Sequence, residues 1–233
     1  MEKSIVKKKI LRFNIYGEGI EVEDLILSEK HMSFIVGCSV ATNITMTPGN
    51  EELWALGNLF TNHVINNIED VISMKIDESS ISVKIECRQK KQQIRPPKTD
   101  WTVPPSLIDE GIKWISEAPL YRKTGCTHVA ALLSHEGKRL FLAEDIKRHN
   151  AVDKAIGWLI KHKYNSENSI LLTSGRLPED MVLKGVYSKI PLIASVSAAT
   201  EQGVLAAEAA NITLIGFVRN GRMNVYTHSE RIV

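Results

Sequence analysis

Cysteine is scarce in this chain, and its three copies, Cys38, Cys87 and Cys126, stand far apart. An odd and widely spaced set supports neither a disulfide framework nor the paired spacing of a zinc motif. A reducing compartment is therefore expected, with no metal site. No apolar run approaches the roughly 18 residues that cross a bilayer. The basic residues 1–9 lead into an alternating stretch rather than the apolar block of a secretion signal, so the expected location is the cytoplasm, without a membrane partner. Charge of one sign is lacking as well. The net charge is +2 over 233 residues, which gives no bulk attraction for nucleic acid. Phosphate-binding motifs of known type are absent: there is no Walker loop, and no G-x-G-x-x-G opens a helix after a strand. Gly17-Glu18-Gly19 lies between two expected strands and reads as a turn. Any anion site must come from local arrangement.

What is present has an ordinary globular balance, 43% hydrophobic and 24% charged, in a length that suits one large or two small domains. Up to about Arg88 the pattern is strand-like. Residues 9–15 and 20–27 alternate with period two, and residues 32–36 and 40–46 read as further short strands. One helix interrupts them after the turn Pro48-Gly49-Asn50, with Leu53, Leu56, Gly57, Phe60 and Val64 as its apolar stripe. Residues 71–76 and 81–85 look like a hairpin. Residues 89–105 are polar and carry Pro96, Pro97, Pro104 and Pro105, which disfavour regular elements. A boundary there separates a strand-rich N-terminal domain, 1–98, from a second domain, 99–233.

The second half reads as helix 105–117, a helix starting near Thr127, strand 139–143, helix 151–161, strand 169–173 and helix 178–188. Strand 191–196, helix 201–210, strand 212–218 and a last strand 223–227 follow. Such alternation predicts a mostly parallel α/β sheet with helices on both faces. In open α/β sheets ligands bind beyond the carboxyl ends of the strands. Those ends here carry Glu144 to Asn150, then Ser174-Gly175-Arg176, Ser195-Val196-Ser197 and Arg219-Asn220-Gly221-Arg222. Arginine offers a fork matched to phosphate oxygens, and serine or glycine turns expose backbone N–H groups. The edge is thus a candidate pocket for a nucleotide or pyrophosphate. The alternative is solvated arginines paired with acids, such as Arg148 with Glu144 or Asp145.

Two more groups can carry chemistry. His128 follows Thr124-Gly125-Cys126-Thr127 at an expected helix start, where it either meets a ligand or packs. Cys126, at the same expected N-terminus, would have its thiolate favoured by the helix dipole; otherwise it is a small, partly buried side chain. Asp145, Arg148, His149, Asn150 and Asp153 form a polar cluster that either knits the turn, with Asn150 as helix cap, or lines the site.

Several segments resemble the FdhD/NarQ family. They are Thr124-Gly125-x-Thr127-His128-x-Ala130-Ala131-Leu132 and Glu144-Asp145-x-x-Arg148-His149-Asn150-Ala151-Val152-Asp153-Lys154. Thr173-Ser174-Gly175-Arg176, Ile190-Pro191 with Ser195-Val196-Ser197-Ala198-x-Thr200, and Thr213-Leu214-Ile215-Gly216-Phe217-x-Arg219 follow in order. The resemblance covers nearly the whole chain and implies a cytidine-deaminase-like α/β domain beside a smaller N-terminal one. It also implies an accessory role for formate dehydrogenase. Family members take persulfide sulfur from a cysteine desulfurase to a bis-molybdopterin guanine dinucleotide, for which GDP is a surrogate ligand, and often pair as homodimers. The family's cofactor segment falls on Phe217, Val218, Arg219, Asn220, Gly221 and Arg222, joined by Arg148, Ser174, Gly175 and Arg176. The sequence departs from the family's pattern in two places: no Cys-Gly-x-Cys-Gly motif stands between Gln89 and Thr99, and Cys126 replaces the glycine usual in the Thr-Gly-Gly-x-His segment. Cys126, with His128 beside it, is then the candidate persulfide carrier, with Cys87 the other thiol that could substitute; the alternatives are a non-catalytic cofactor-binding chaperone and a diverged guanine-nucleotide-binding protein. The deaminase option fails on residues: His128-Val129-Ala130 lacks the proton-shuttling Glu, and no Cys-x-x-Cys exists.

Overall fold

A computed structural model describes residues 4–37, 42–86 and 95–233. Cys38, Cys87, the start of the expected strand 40–46 and most of the missing-motif segment lie outside the described residues.

The chain opens with a two-stranded antiparallel ribbon, β1 (Ile5–Phe13) and β2 (Gly19–Leu27). β3 (Lys30–Val36), β4 (Thr42–Met46), β5 (Val71–Ile76) and β6 (Ser80–Ile85) make a four-stranded sheet in the order β4-β3-β6-β5. Helix α1 (Glu51–Thr61) lies between β4 and β5 in sequence and buries Trp54, Leu56, Leu59 and Phe60. The second half contributes α2 (Pro105–Ser116), α3 (Pro119–Thr124), β7 (His128–Ser134), β8 (Arg139–Asp145) and α4 (Arg148–Lys161). After these come β9 (Ser169–Thr173), α5 (Glu179–Tyr187), β10 (Leu192–Ser195), α6 (Glu201–Ala209), β11 (Thr213–Arg219) and β12 (Arg222–Thr227).

The six-stranded sheet runs β12-β11-β10-β9-β7-β8. It is mixed rather than mostly parallel: β9, β10 and β11 are parallel neighbours, while β7 is antiparallel to both β8 and β9, and β12 to β11. The difference traces to one segment. The residues from Thr127 form a strand, not a helix, and the short α3 before them delivers the chain to the sheet from its carboxyl edge. Strands β8 to β11 still share one direction, so their ends meet at one edge together with the start of β7.

Both faces of the sheet are covered. Ala130, Leu132, Leu171, Ile193 and Leu214 face α4, α5 and α6, in a core continuous with Trp54 and Leu56 of α1 and with Met32 and Phe34 of β3. The alternate residues Val129, Ala131, Leu133, Leu172, Ala194 and Ile215 pack on Ile108, Ile112 and Ile115 of α2. Burial on both faces removes the polar–apolar alternation that would have marked β7 as a strand.

The two halves meet where α1 crosses α4. A methyl group on Gly57 would overlap the Asp153 carbonyl, and one on Gly157 would overlap the Leu53 carbonyl, so the two backbones are in contact. Beside this crossing Asp145 is fully buried. It accepts from the backbone N–H of Thr47 (3.1 Å) and Lys147 (3.0 Å) and from Asn150 Nδ2 (3.0 Å), and it pairs with Lys154 at 2.8 Å. Asn150 is the third residue of α4, not its cap, because the helix begins at Arg148. Its side chain also donates to the Thr45 carbonyl and accepts from Trp54 Nε1.

Candidate functional site

The sheet edge is assembled from strand ends. His128, first in β7, sits opposite Asp145, last in β8. His128 Nδ1 lies 3.4 Å from Ser174 Oγ, just after β9, and that oxygen accepts from the Val129 N–H at 2.9 Å. Gly175 has Arg148 against it: a Cβ there would stand 3.1 Å from the Cβ of Arg148, so a side chain would press on the arginine stem. The Gly175 carbonyl accepts from Ser195 Oγ (2.6 Å), which in turn accepts from the Ser197 N–H (3.0 Å). The Ser197 carbonyl accepts from the Phe217 N–H at 3.0 Å. His128, Ser174, Gly175, Arg148, Ser197 and Phe217 thus form one connected strip.

At the far end of the strip the backbone is unusual. Phe217 has φ of 52°, in the left-handed region that a bulky side chain rarely adopts, and the β11–β12 register shifts between Gly216 and Arg219. A bulge of this kind re-aims side chains at a strand end. Arg219 then stacks over the Phe217 ring, with its guanidinium carbon 5.3 Å from the centroid. Asn220 and Gly221, both at positive φ, turn the chain so that Arg219 pairs with Arg222 across the hairpin. Val218 points the other way and is fully buried in the α2-side core.

Among the described residues no carboxylate lies within ion-pair distance of Arg148, Arg176, Arg219 or Arg222. The two acids that sequence offers to Arg148 are engaged elsewhere. Asp145 belongs to Lys154. Glu144 accepts from the backbone N–H of Leu120 (3.0 Å) and Tyr121 (2.6 Å) at the start of α3, and from Thr127 Oγ1 at 3.1 Å. The alternative of internally paired arginines is therefore not what the structure contains.

Cys126 is exposed and lies on the loop between α3 and β7. The expected setting is corrected here. Gly125, at φ 65°, ends α3, so the thiol follows a helix C-terminus instead of opening a helix. His128 is half-buried at a strand start. Burial pushes its imidazole below the usual histidine range, with Arg148 and Arg176 adding to the effect and Asp145 opposing it. His149 is lowered by burial too, against the pull of Asp180 at 3.5 Å.

These shifts give a signed expectation. Above the ordinary histidine value of roughly 6.5, neither the folded nor the unfolded imidazole is charged, and His128 contributes nothing to pH dependence. Below it the unfolded chain takes up a proton that the folded one resists, so stability falls as pH drops from the ordinary value to the lowered one and levels off beneath it. Thermal unfolding between pH 7 and pH 5 is expected to show a shallower acid loss in His128→Gln than in the wild type. Equal slopes would remove His128 from the titration.

Of the polar cluster, the structure splits scaffold from site. Asp145, Asn150, Asp153 and Lys154 face inward: Asp153 binds Lys184 at 2.5 Å and Thr61 Oγ1 at 3.2 Å. Arg148 and His149 face the edge. Sequence reasoning missed Glu144 as the clamp on the Cys126 loop and Lys154 as a buried cation. The first had no signal. The second had one, a lysine within an otherwise inward-facing stretch of α4.

Fold and edge together define a mixed α/β protein with a cationic, serine- and glycine-bearing strip at the strand ends. The model of the FdhD/NarQ family matches residues 86–233. The sulfur carrier protein FdhD of Methanothermobacter thermautotrophicus is 30% identical, over 97% of this chain and 98% of that one. That of Wolinella succinogenes is 31% identical over 91% and 84%. A crystal structure of a protein assigned as a formate dehydrogenase accessory protein, from Desulfotalea psychrophila, superposes with a TM-score of 0.87. Its sequence identity is 28%, with 99% of this chain and 100% of that one covered. The chain belongs to the FdhD/NarQ family.

Proposed function

We propose that this chain is an accessory protein for formate dehydrogenase maturation that holds the enzyme's molybdenum cofactor, a bis-molybdopterin guanine dinucleotide, as cargo on the strip at the strand ends. The observation that carries the reading is the set of four arginines at one edge, without acidic partners among the described residues, beside serine and glycine turns. Unpaired guanidinium groups around exposed backbone N–H groups suit the pyrophosphates of such a cofactor, and the names of the relatives agree. In this reading the second half has a cytidine-deaminase-like fold, the strand-rich first half is its smaller companion domain, and the protein works in the cytoplasm.

Sulfur movement is the finer part. A cysteine desulfurase persulfide would be attacked at its outer sulfur by the Cys126 thiolate. The S–S bond breaks, the desulfurase cysteine leaves as thiolate, and the sulfur stays on Cys126 as a new persulfide. Exposure of Cys126 beside the strip supports this role. A second reading, cofactor binding without sulfur transfer, is favoured by the missing Cys-Gly-x-Cys-Gly motif and by the position of Cys126 after a helix C-terminus.

GDP stands in for the guanine end of the cargo. Calorimetry is expected to show GDP binding, and Arg219→Ala to weaken it by roughly 1.5–3 kcal/mol, the worth of a charge-assisted contact. No heat of binding at millimolar GDP would overturn the site. Persulfide labelling after incubation with a desulfurase separates the two readings: label on Cys126 supports the carrier, and a desulfurase-treated protein without label leaves the binding protein.

A further inference from the structure

Ser174 grips the start of β7 from two sides. Its backbone N–H donates to the Val129 carbonyl at 2.9 Å, and its Oγ accepts from the Val129 N–H at 2.9 Å. The same oxygen lies 3.4 Å from His128 Nδ1. A hydroxyl has one proton to give and two lone pairs to receive. One lone pair takes the Val129 N–H, and Nδ1 is the other partner of the oxygen among the described residues. A proton on Nδ1 would point at that oxygen and leave the serine's own proton without an acceptor among those residues. With Nδ1 as the acceptor both groups are satisfied. The neutral ring then carries its proton on Nε2.

Nothing around the ring invites a second proton. Asp145, its neighbour across the β7–β8 pair, has both carboxylate oxygens committed. One accepts from the Lys147 N–H and Asn150 Nδ2, the other from the Thr47 N–H and the Lys154 ammonium. Arg148, first in α4, and Arg176, in the turn after β9, add positive charge, and burial acts in the same direction. Nε2 therefore presents a single N–H that no described residue accepts. A half-buried donor of this kind, beside two guanidinium groups without carboxylates among the described residues, is fitted to an oxyanion.

We propose that His128 is a binding residue of the strip, with Ser174 holding the proton on Nε2 and that N–H donating to a phosphate oxygen of the bound cargo. This role rests on the strip being the cargo site, and fixes within it one atom and one proton. A neutral donor adds direction without adding charge. It suits a phosphate esterified on both sides, as in a dinucleotide, which carries a single negative charge.

GDP-mannose is the probe, because its pyrophosphate is esterified at both ends. Nitrogen NMR of isotope-labelled histidine near neutral pH is expected to show His128 Nδ1 unprotonated and Nε2 protonated, the signals being assigned by their loss in His128→Gln. Saturating GDP-mannose should shift the Nε2 signal and leave Nδ1 unprotonated. In calorimetry His128→Leu should bind it about ten- to a hundredfold more weakly, the worth of a hydrogen bond to a charged group. His128→Gln, whose amide places an N–H near the Nε2 position, should recover most of the affinity. The spectra come from the unaltered chain, so a variant that folds poorly does not decide the outcome. Absence of any GDP-mannose binding would remove the strip as cargo site and the role of His128 with it. Binding that leaves Nε2 unmoved, a proton found on Nδ1, or equal affinities of wild type and His128→Leu would overturn the role of His128 alone.

Discussion

Replacing Lys154 with methionine is expected to cost about 3–5 kcal/mol of folding free energy, the loss found when one member of a buried ion pair is removed. Lys154 is 1% exposed and Asp145 is wholly inaccessible. The variant therefore leaves a carboxylate in the interior without its cation. It also leaves the Thr47 and Glu144 carbonyls without the ammonium that donates to them at 3.0 and 3.2 Å. Buried ion pairs can often be exchanged for apolar residues at little cost. This one cannot, because the Asp145 oxygens also hold the N–H groups of Thr47 and Lys147, which an apolar residue would strand. A loss of that size is a large share of the roughly 5–15 kcal/mol that stabilises a domain. Urea unfolding would report it as a lowered midpoint. A variant within 1 kcal/mol of wild type would overturn the expectation.

Gly157→Ala should be nearly as damaging. Added volume in a packed core usually costs about 1–3 kcal/mol, because neighbouring side chains give way. Here the obstacle is the Leu53 carbonyl, part of a helix backbone, and the only relief is to lift α1 off α4. That movement would open the core joining Trp54 and Leu56 to Ala151 and Ala155, so the cost is expected at or above the upper end of that range. Alanine is otherwise the better helix former, by about 1 kcal/mol. A more stable Gly157→Ala variant would mean that the helices do not touch.

β9, α5, β10, α6 and β11 were legible within a residue or two of their ends, because short apolar strands alternate there with amphipathic helices. The site edge was legible for the same reason: polar residues recur after each strand. β7 was not, since Val129, Ala131, Leu132 and Leu133 lie in a run buried on both faces and show no period. That single error carried two others with it, the parallel sheet and the helix dipole at Cys126. Asn150 was legible as a structural residue but not as a bridge. Its partners Thr45 and Trp54 are about a hundred positions away, and no local pattern records them.

Those separations bear on how the protein is made. The bonds of Asp145, Asn150, Asp153 and Lys154 to residues 45–61 span 92 to 107 positions. During synthesis α1 leaves the ribosome long before α4 exists to cover its glycine-bearing side. Contacts of such length form late and slow the search for the native state. The first half must wait, its apolar helix face uncovered, until about the first two-thirds of the chain have been translated. A translating ribosome is therefore the stage at which this protein is most exposed to chaperones and to aggregation.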